Sequence, residues 1–344
     1  MKVGIINVTG YAGIELARIL HKHPEADVVS VTGRSAAGNE LGDELPHLER
    51  LGMTIEPEIT KSVDIVFSAL PQVASAEACL PYVRDGIKVV DISADFRLHD
   101  PQEYLAWYGK EHPAPDLLET SVYGLTELDR EGIAGANLVA NPGCFANAAL
   151  LAMAPVVAEG LITEQVIVDG KTGVSGAGRA PSMATHFSEV NENVIPYSVD
   201  GHRHLPEMTQ ELKRVRAGYE PKLIFMPHLV PMTRGIFDTV YAEFVDGAFD
   251  SPDQAKARVT EVYRDYYADE PFVKVVSKPP QTKQTWGNND CLIYPTVDSR
   301  TGRLLVFAVL DNLVKGAAGQ AVQNMNVMFG IPETMGLEQI AVYP

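Results

Sequence analysis

The first part of the chain alternates short apolar runs with helical patterns, and this alternation restricts the fold more than any other feature of the sequence. Residues 3–8 predict a buried strand, and residues 14–23 follow as a helix with leucine and isoleucine on one face. Residues 64–70 and 87–92 predict further strands, separated by a helix at about 74–82. Because buried strands that alternate with helices form parallel sheets covered on both faces, we expect a doubly wound α/β fold here.

A turn containing two glycines joins the first strand to the first helix. It reads Thr9-Gly10-Tyr11-Ala12-Gly13, and such glycines let the backbone approach a pyrophosphate at a helix N-terminus. Asn7 stands where a G-x-x-G-x-x-G pattern has its first glycine, but asparagine tolerates left-handed backbone better than most residues. The next predicted strand, 28–32, is followed by Arg34, where an NAD site usually has Asp or Glu. Arg34 suits a 2′-phosphate, so the sequence favours NADP.

Length, charge and cysteine content narrow the class of protein. A chain of 344 residues suggests two domains. The 28 Lys and Arg against 45 Asp and Glu give a net charge of −17, which argues against nucleic acid or an anionic membrane as partner. The three cysteines, Cys79, Cys144 and Cys291, are widely spaced and predict neither a disulfide framework nor a cysteine-rich metal site. With no signal peptide or membrane span predicted, we expect a cytoplasmic protein.

Cys144 is the candidate nucleophile. Asn141, Pro142 and Gly143 are turn residues, and an apolar run of good helix formers follows the cysteine. The unpaired N–H groups at a helix start favour the thiolate, which is the form that attacks carbonyl carbons. The alternative is that Cys144 is one more small buried hydrophobe.

After that helix the pattern changes to longer strands with few helices. Strands are predicted at 165–169, 222–226, 235–245, 272–276, 291–297 and 304–310, with a hairpin turn at 298–303. Ser251, Pro252 and Gln254 predict a capping box and a helix to about residue 268. This pattern indicates an α+β second domain, and a large sheet covered by only one or two helices would use a second subunit, so we expect a homo-oligomer.

Two further segments complete the expected organisation. The segment 99–128, rich in Pro, Tyr, Trp and charge, is predicted to be a long irregular excursion. A last helix, about 313–329, contains Gly316 and Gly319, which would permit the close approach of another backbone or a ligand. This helix is expected to return to the first domain.

Several polar segments could assist the cysteine. The glycine loop 173–179 ends in Arg179 and could bind a phosphate or a carboxylate, or be a plain flexible loop. His202 and His204 could act as general acid and base, could coordinate a metal with Glu207, or could be a pair without function. Arginine side chains could clamp anions. The candidates are Arg97, with an ion pair to Asp95 as its alternative, and Arg234.

Together these parts point to a reaction class. A dinucleotide domain, an activated cysteine, a histidine and several arginines fit a nicotinamide-dependent enzyme that passes through a thioester. The thiolate would attack an acyl phosphate, phosphate would leave, and hydride transfer would give an aldehyde by way of a thiohemiacetal.

The chain resembles the N-acetyl-gamma-glutamyl-phosphate reductases of arginine biosynthesis, a family similar to the aspartate-semialdehyde dehydrogenases. The resemblance extends from the glycine turn to the last helix and is carried by the segments 95–97, 141–144, 175–179, 201–204, 227–235 and 311–321. Two departures are Asn7, where the family has glycine, and residues 286–294, where the family usually has Gly-Ser-Asn-aromatic-Cys-Asp-Ile-Gly. A sibling family of carrier-linked aminoadipyl or glutamyl phosphate reductases differs in lacking Asn-Pro-Gly before the cysteine.

The resemblance implies roles and domain boundaries. Cys144 would be the nucleophile and His204, with His202, the acid and base; no metal is implied. NADP would be bound by Thr9, Gly10, Tyr11, Ala12, Gly13, Arg34, Ser35, Pro71, Ser175, Gly176 and Asn312. The acyl phosphate would be bound by Arg97, Asn141, Arg179, Arg203 and Arg234. A Rossmann-type dinucleotide-binding domain of residues 1–143 and 313–344 would be interrupted by a catalytic and oligomerisation domain at 144–312.

Three other functions stay open at this stage. An aspartate-semialdehyde dehydrogenase or a carrier-linked reductase would use the same chemistry on another acyl phosphate. A regulator that binds NADP without catalysis would keep the fold alone. As an enzyme, the protein is expected to be a homodimer or homotetramer.

Overall fold

The computed structural model describes all 344 residues. By contacts the chain divides into two units, which we call unit 1 (Met1–Gly143 and Ala317–Gln339) and unit 2 (Cys144–Gly316 and Ile340–Pro344). Relative to the predicted boundaries, residues 313–316 and 340–344 belong to unit 2. None of the helices is both long and apolar enough to cross a membrane.

The strands and helices follow one another in the following order. The strands are β1 Lys2–Ile6, β2 Asp27–Val31, β3 Ile65–Ser68, β4 Lys88–Asp91, β5 Val122–Tyr123, β6 Leu138–Ala140, β7 Ile162–Thr172, β8 Ile195–Pro196, β9 Lys222–Leu229, β10 Ile236–Phe244, β11 Val273–Val275, β12 Cys291–Val297 and β13 Leu304–Leu310. The helices are α1 Tyr11–Leu20, α2 Leu41–Glu44, α3 Ser75–Arg84, α4 Pro101–Tyr108, α5 Pro115–Leu118, α6 Thr126–Gly135, α7 Cys144–Ala158, α8 Phe187–Val190, α9 His204–Val215, α10 Pro252–Tyr266 and α11 Gly319–Met328.

Unit 1 is built on a six-stranded sheet in the order β2-β1-β3-β4-β6-β5. Every pairing in it is parallel. All four residues of β3 are buried, as expected for a strand covered on both faces. The predicted α/β fold is confirmed for this part of the chain.

The segment 99–128 is not irregular, so that prediction was wrong. It contains α4, α5 and β5, and the side chain of Asp100 caps α4 by accepting a hydrogen bond from the Gln102 amide at 2.8 Å. Pro101 stands at the first helical position, where its missing N–H costs nothing. Asp100-Pro101 was therefore a helix-start signal hidden by the surrounding proline and charge.

Unit 2 is built on a mixed seven-stranded sheet in the order β11-β12-β13-β10-β7-β9-β8. Strands β12 and β13 have the predicted bounds, and the Asp298 amide donates to the Arg303 carbonyl in the turn between them. Three longer helices, α7, α9 and α10, belong to this unit, where one or two were expected. Along α7 every residue from Phe145 to Val157 is buried.

The start of α10 differs in one detail from the predicted capping box. The Ser251 hydroxyl accepts a hydrogen bond from the Gln254 amide at 3.3 Å, as predicted. The Gln254 side chain, however, accepts from the amide of Asp250 at 2.8 Å, one residue before the cap. The Gln254 side chain therefore bonds a residue outside the helix and not the cap residue itself. Helix α10 ends at Tyr266.

The predicted last helix is not continuous. Residues Val314–Ala318 form a wide π-helical turn, in which the Gly316 amide donates to the Asp311 carbonyl five residues earlier at 2.9 Å. Helix α11 begins only at Gly319. Such wide turns are rare and often lie at functional sites.

Candidate active site

Cys144 is the first residue of α7 and the only one of the three cysteines that is not buried. Gly316 lies against it, since a Cβ added to that glycine would be 2.8 Å from Cys144 Cβ. Three residues after the cysteine, Asn147 Nδ2 donates to the Lys315 carbonyl at 2.9 Å. Burial raises the pKa of the Cys79 thiol far above its usual range, so that group stays protonated. Cys144 is thus the cysteine suited to react.

Two histidines lie beside the start of α7. The ring centroids of His202 and His204 are 4.5 Å apart, and both rings meet Phe145 edge-on at 6.0 and 6.1 Å. The amide of His204 donates to His202 Nδ1 at 3.1 Å. His204 begins α9, and its Nε2 is 3.9 Å from the carboxylate of Glu207, one turn further along. The sequence motif therefore becomes a compact imidazole pair next to the residue that follows Cys144.

Two titratable residues near this pair belong to none of the motifs that the sequence presents. The Tyr197 ring lies 5.6 Å from that of His202, and burial, with the charges of Cys144 and Asp238, raises the Tyr197 pKa. Asp238 is fully buried on β10, which raises its pKa well above the usual range. A Cβ on Gly170 would lie 2.9 Å from Asp238 Oδ1. An acid at an inward position of an alternating strand was the available signal for Asp238.

The glycine loop of unit 2 is tied to the end of β13. Asn312 Nδ2 donates to the Ser175 hydroxyl at 3.0 Å, while Asn312 Oδ1 accepts from the Gly235 amide at 2.8 Å. A Cβ on Gly173 would lie 2.7 Å from the Thr233 carbonyl, so the two loops are in close backbone contact. Asn312 and Ser175, both predicted cofactor contacts, are therefore neighbours; Gly176 is exposed in the same loop.

Three of the predicted arginines lie in unit 2. Arg234 Nη1 is 3.3 Å from the buried carboxylate of Asp311, and the Arg234 carbonyl accepts from Trp286 Nε1 at 3.1 Å. Trp286 belongs to the segment that departs from the family pattern, so that segment supports Arg234. Arg179 and Arg203 are exposed, the latter immediately before α9.

The glycine turn of unit 1 keeps its expected form in spite of Asn7. This residue adopts left-handed backbone with φ of 66°, and its Nδ2 donates to the Ala69 carbonyl at 2.8 Å. Gly13 fits tightly, because a Cβ there would lie 2.3 Å from the Asn7 carbonyl oxygen. The turn leads directly into α1, at whose start Tyr11 is partly exposed.

The remaining predicted cofactor contacts of unit 1 follow the ends of parallel strands. Arg34 and Ser35 are exposed in a short 3₁₀ turn after β2. Pro71 is exposed three residues after the end of β3. These positions lie at the carboxyl ends of strands, where ligands bind in open α/β sheets.

Arg97 and Asn141 are both buried. Arg97 Nε donates to the Asn141 carbonyl at 2.8 Å, and its Nη2 donates to the Ile92 carbonyl at 2.9 Å. Asp95, the alternative partner of Arg97, accepts hydrogen bonds from the amides of Ser75 and Ala76 at the start of α3. Asn141 is fully buried with both ends of its amide bonded, which argues against the predicted contact with substrate.

No group of three or more His, Cys, Asp and Glu side chains is arranged to hold a metal ion.

Both halves of the chain match family models. Residues 2–136 match the model described as the NAD binding domain of semialdehyde dehydrogenase, and residues 144–312 match its dimerisation domain. Solved structures agree on the fold. Aspartate semialdehyde dehydrogenase II of Vibrio cholerae superposes with a TM-score of 0.69 at 18% identity, covering 96% of this chain and 98% of that one. The enzyme of Candida albicans, solved with NADP, gives 0.68 at 16% identity, covering 95% and 98%. Fold and domains thus define a semialdehyde dehydrogenase, an oxidoreductase with a nicotinamide dinucleotide-binding domain.

Curated relatives narrow this class. An N-acetyl-gamma-glutamyl-phosphate reductase of Dehalococcoides mccartyi strain BAV1 is 52% identical over 343 residues, covering 100% of this chain and 99% of the relative. The protein of that name from Pelotomaculum thermopropionicum is 49% identical over 352 residues, with the same coverage. The chain belongs to the N-acetyl-gamma-glutamyl-phosphate reductase family, as the sequence motifs predicted.

Proposed function

We propose that this protein reduces N-acetyl-gamma-glutamyl phosphate to N-acetylglutamate semialdehyde and phosphate, with NADPH as reductant and Cys144 as nucleophile. One observation carries the assignment of roles. Cys144 opens α7 as the only cysteine that is not buried, and the rings of His202 and His204 both contact the following residue, Phe145. A thiol at a helix start beside imidazoles is the arrangement that a thioester mechanism requires.

The glycine turn of unit 1 fits a dinucleotide. Gly13 lies in the first turn of α1, where a side chain would collide with the Asn7 carbonyl, so the helix can approach the preceding turn this closely only with glycine there. In dinucleotide-binding folds, the backbone N–H groups at such a helix start bind the pyrophosphate. Residues Thr9 to Gly13 would hold it, and Arg34 with Ser35 would bind the 2′-phosphate that distinguishes NADP from NAD. Pro71, Ser175, Gly176 and Asn312 complete the proposed cofactor contacts.

The proposed reaction begins and ends with the Cys144 thiolate. The Cys144 thiolate attacks the acyl carbon of the substrate, a carbon–sulfur bond forms, and the carbon–oxygen bond to phosphate breaks. When bound, the reduced nicotinamide supplies the hydride that reduces this thioester. His204, assisted by His202, donates a proton to the oxyanion of the resulting thiohemiacetal. It removes that proton again as the carbon–sulfur bond breaks, which releases the aldehyde and the thiolate.

The substrate carries a carboxylate and a phosphate on a protein of net charge −17, so cationic side chains must be concentrated locally. Arg97, Arg179, Arg203 and Arg234 are the proposed anion contacts. Arg234 is held in place, because Asp311 pairs with its guanidinium and Trp286 donates to its backbone carbonyl. Asn141 is not among them, because its side-chain amide is buried and hydrogen bonded at both ends.

We propose a cytoplasmic homodimer assembled through one face of the unit 2 sheet, with a homotetramer as the alternative. On that face Ile167 and Ile224 are 41% and 56% exposed on the neighbouring strands β7 and β9. Phe237 and Phe307 extend the same face, with ring centroids 6.0 Å apart. An exposed apolar sheet face of this kind buries well against a second copy.

The reverse reaction tests the proposed substrate. The protein is supplied with phosphate and either NADP⁺ or NAD⁺, together with N-acetylglutamate semialdehyde or aspartate semialdehyde, and reduced cofactor is followed. We expect turnover with N-acetylglutamate semialdehyde and NADP⁺. Turnover of aspartate semialdehyde instead would assign the other enzyme, and NADP binding without turnover of either would make the protein a regulator. Cys144→Ala at full rate would contradict the mechanism.

A further inference from the structure

Helix α11 carries buried amide side chains where an apolar face would be expected. Gln320, Gln323, Asn324 and Asn326 are all fully buried in unit 1. Buried amides cost free energy unless they are hydrogen bonded, so their partners indicate what they hold. The hydrogen bonds of Asn324 and Asn326 reach two different parts of unit 1.

The hydrogen bonds of Asn324 reach Asn141. Asn324 Nδ2 donates to Asn141 Oδ1 at 3.1 Å and to the Gly124 carbonyl at 2.8 Å. Asn324 Oδ1 accepts from the Thr126 hydroxyl at 2.9 Å and from Gln320 Nε2 at 3.3 Å. A Cβ at Gly124 would lie 2.4 Å from Asn324 Nδ2, so this approach requires glycine. All four hydrogen-bonding positions of the Asn324 amide are used.

Asn141 is in turn fixed on every side. Its amide N–H donates to the Asp91 carbonyl at 2.8 Å, and its own carbonyl accepts from Arg97 Nε. Its side-chain Nδ2 donates to the Ala317 carbonyl at 3.1 Å, at the end of the wide turn before α11. Only two residues separate Asn141 from Cys144. They are Pro142, whose φ is fixed by its ring, and Gly143.

We propose that Asn324, supported by Thr126 and Gln320, is a positioning residue for Cys144, acting through Asn141. It touches neither substrate nor cofactor. It fixes the point at which the chain leaves β6, and thereby the place where α7 and its thiol begin. This role rests on the proposed use of Cys144 as nucleophile.

Asn326 supplies a matched control, because its hydrogen bonds reach a different segment. Asn326 is as buried as Asn324 and also makes its bonds within unit 1, with Nδ2 donating to the carbonyls of Glu333 and Met335 at 3.1 and 2.9 Å. Its Oδ1 is 2.9 Å from His23 Nε2. These contacts hold the segment after α11 and do not lead to Asn141. Asn324→Ala and Asn326→Ala therefore remove comparable buried amides from one helix.

The test measures kcat, KM for the acyl phosphate and the pH profile of Cys144 alkylation by iodoacetamide, beside thermal unfolding. We expect both variants to unfold at lower temperature. Only Asn324→Ala should lower kcat, by about 10- to 100-fold, because small displacements of a reacting group have effects of that size. It should also alter the alkylation profile, with KM nearly unchanged. Asn326→Ala should keep the wild-type values of kcat and alkylation.

Thr126→Val is the second variant, because it removes the hydroxyl behind Asn324 with little change of shape. It should repeat the effect of Asn324→Ala in weaker form. Equal losses of kcat in Asn324→Ala and Asn326→Ala, or wild-type kcat in Asn324→Ala, would overturn the proposal. So would failure of Thr126→Val to fold, since the network would then serve folding. Cys144→Ser is assayed alongside; its activity at the full rate would instead contradict the proposed nucleophile.

Discussion

At the scale of single residues, burial separates the three cysteines and selects one of them for chemistry. Cys79 and Cys291 are fully buried, whereas Cys144 is partly exposed at a helix start. The same reasoning separates the histidines. His204 lies at the start of α9, and its Nε2 is 3.9 Å from the carboxylate of Glu207, one turn along. Reactivity here is a matter of position, because the residue types alone would not distinguish these groups.

His204→Asn should lower kcat by roughly 10²- to 10⁴-fold, the usual contribution of a general acid and base. The loss follows because the thiohemiacetal oxyanion would lack its proton donor. His21→Asn is the control, an exposed histidine at the end of α1, and should behave like the wild type. Steady-state rates across pH make the comparison, and an unimpaired His204→Asn would remove His204 from the mechanism.

Asp91 makes the stability of unit 1 depend on pH. Burial, and then the charge of Asp95, raises its pKa to about 6 from an ordinary 3.8. Between about pH 4 and pH 6 the folded state therefore keeps a proton on Asp91 that the unfolded state has lost. This contribution to the free energy of unfolding is complete below about pH 4 and is lost as the pH rises through 6. Its full size is about 3 kcal/mol from the two pKa values.

Asp91→Asn should remove this contribution. Relative to the wild type, the variant should gain unfolding free energy as pH rises from 4.5 to 7.5, measured by urea denaturation. Asp85→Asn, which changes an exposed carboxyl at the end of α3, should leave the pH dependence as it is. Parallel pH profiles for Asp91→Asn and the wild type would show that the buried carboxyl does not titrate in this range.

At the scale of elements, turns decide where the ligands can go. Asn7 takes the left-handed conformation that the family pattern assigns to glycine, and its side chain adds a bond to Ala69. Gly13 has no such freedom, because the Asn7 carbonyl already occupies the space of its side chain. One position of the glycine turn therefore tolerates a side chain and the other does not.

Gly13→Ala should weaken NADPH binding by about 5- to 150-fold, since overpacking by one methyl costs about 1–3 kcal/mol and would shift the turn. Fluorescence titration with NADPH measures the affinity. Gly135→Ala, at a position with open space around the added Cβ, is the matched control and should bind as the wild type does. Normal affinity in Gly13→Ala would mean that the turn does not hold the pyrophosphate.

The elements also show how far the sequence alone could lead. Strands β12 and β13 were predicted residue by residue, because the apolar runs are bounded by clear turn residues. Helix α9 was not predicted because it begins at the end of a polar segment of two histidines and an arginine, although Met208 and Leu212 are spaced as one buried face. The wide turn at 314–318 has no local signal, since a helical pattern of residues does not encode one extra residue per turn. Motifs pointed to Cys144 and His204, whose roles are proposed above, whereas the Asn324–Asn141 contact joins residues 183 apart and has no local signal.

At the scale of the whole molecule, the unit 2 sheet has one face covered by helices and one face that carries exposed apolar groups. Ile224→Lys should dissociate the proposed dimer, because two-fold symmetry would bury the new charge twice. Tyr266→Lys changes an exposed apolar position on α10, away from the proposed face, and should leave the assembly intact. Sedimentation equilibrium reports the mass. An Ile224→Lys variant with wild-type mass would exclude this face from the interface.

Trapping the covalent intermediate tests directly whether Cys144 carries the acyl group. The protein is mixed with N-acetyl-gamma-glutamyl phosphate in the absence of reductant, and its intact mass and released phosphate are measured together. We expect one acyl group per chain, mapped to Cys144, matched by one released phosphate and discharged as semialdehyde when NADPH is added. Phosphate released without an adduct, or an adduct on any residue other than Cys144, would rule out Cys144 as the acyl carrier.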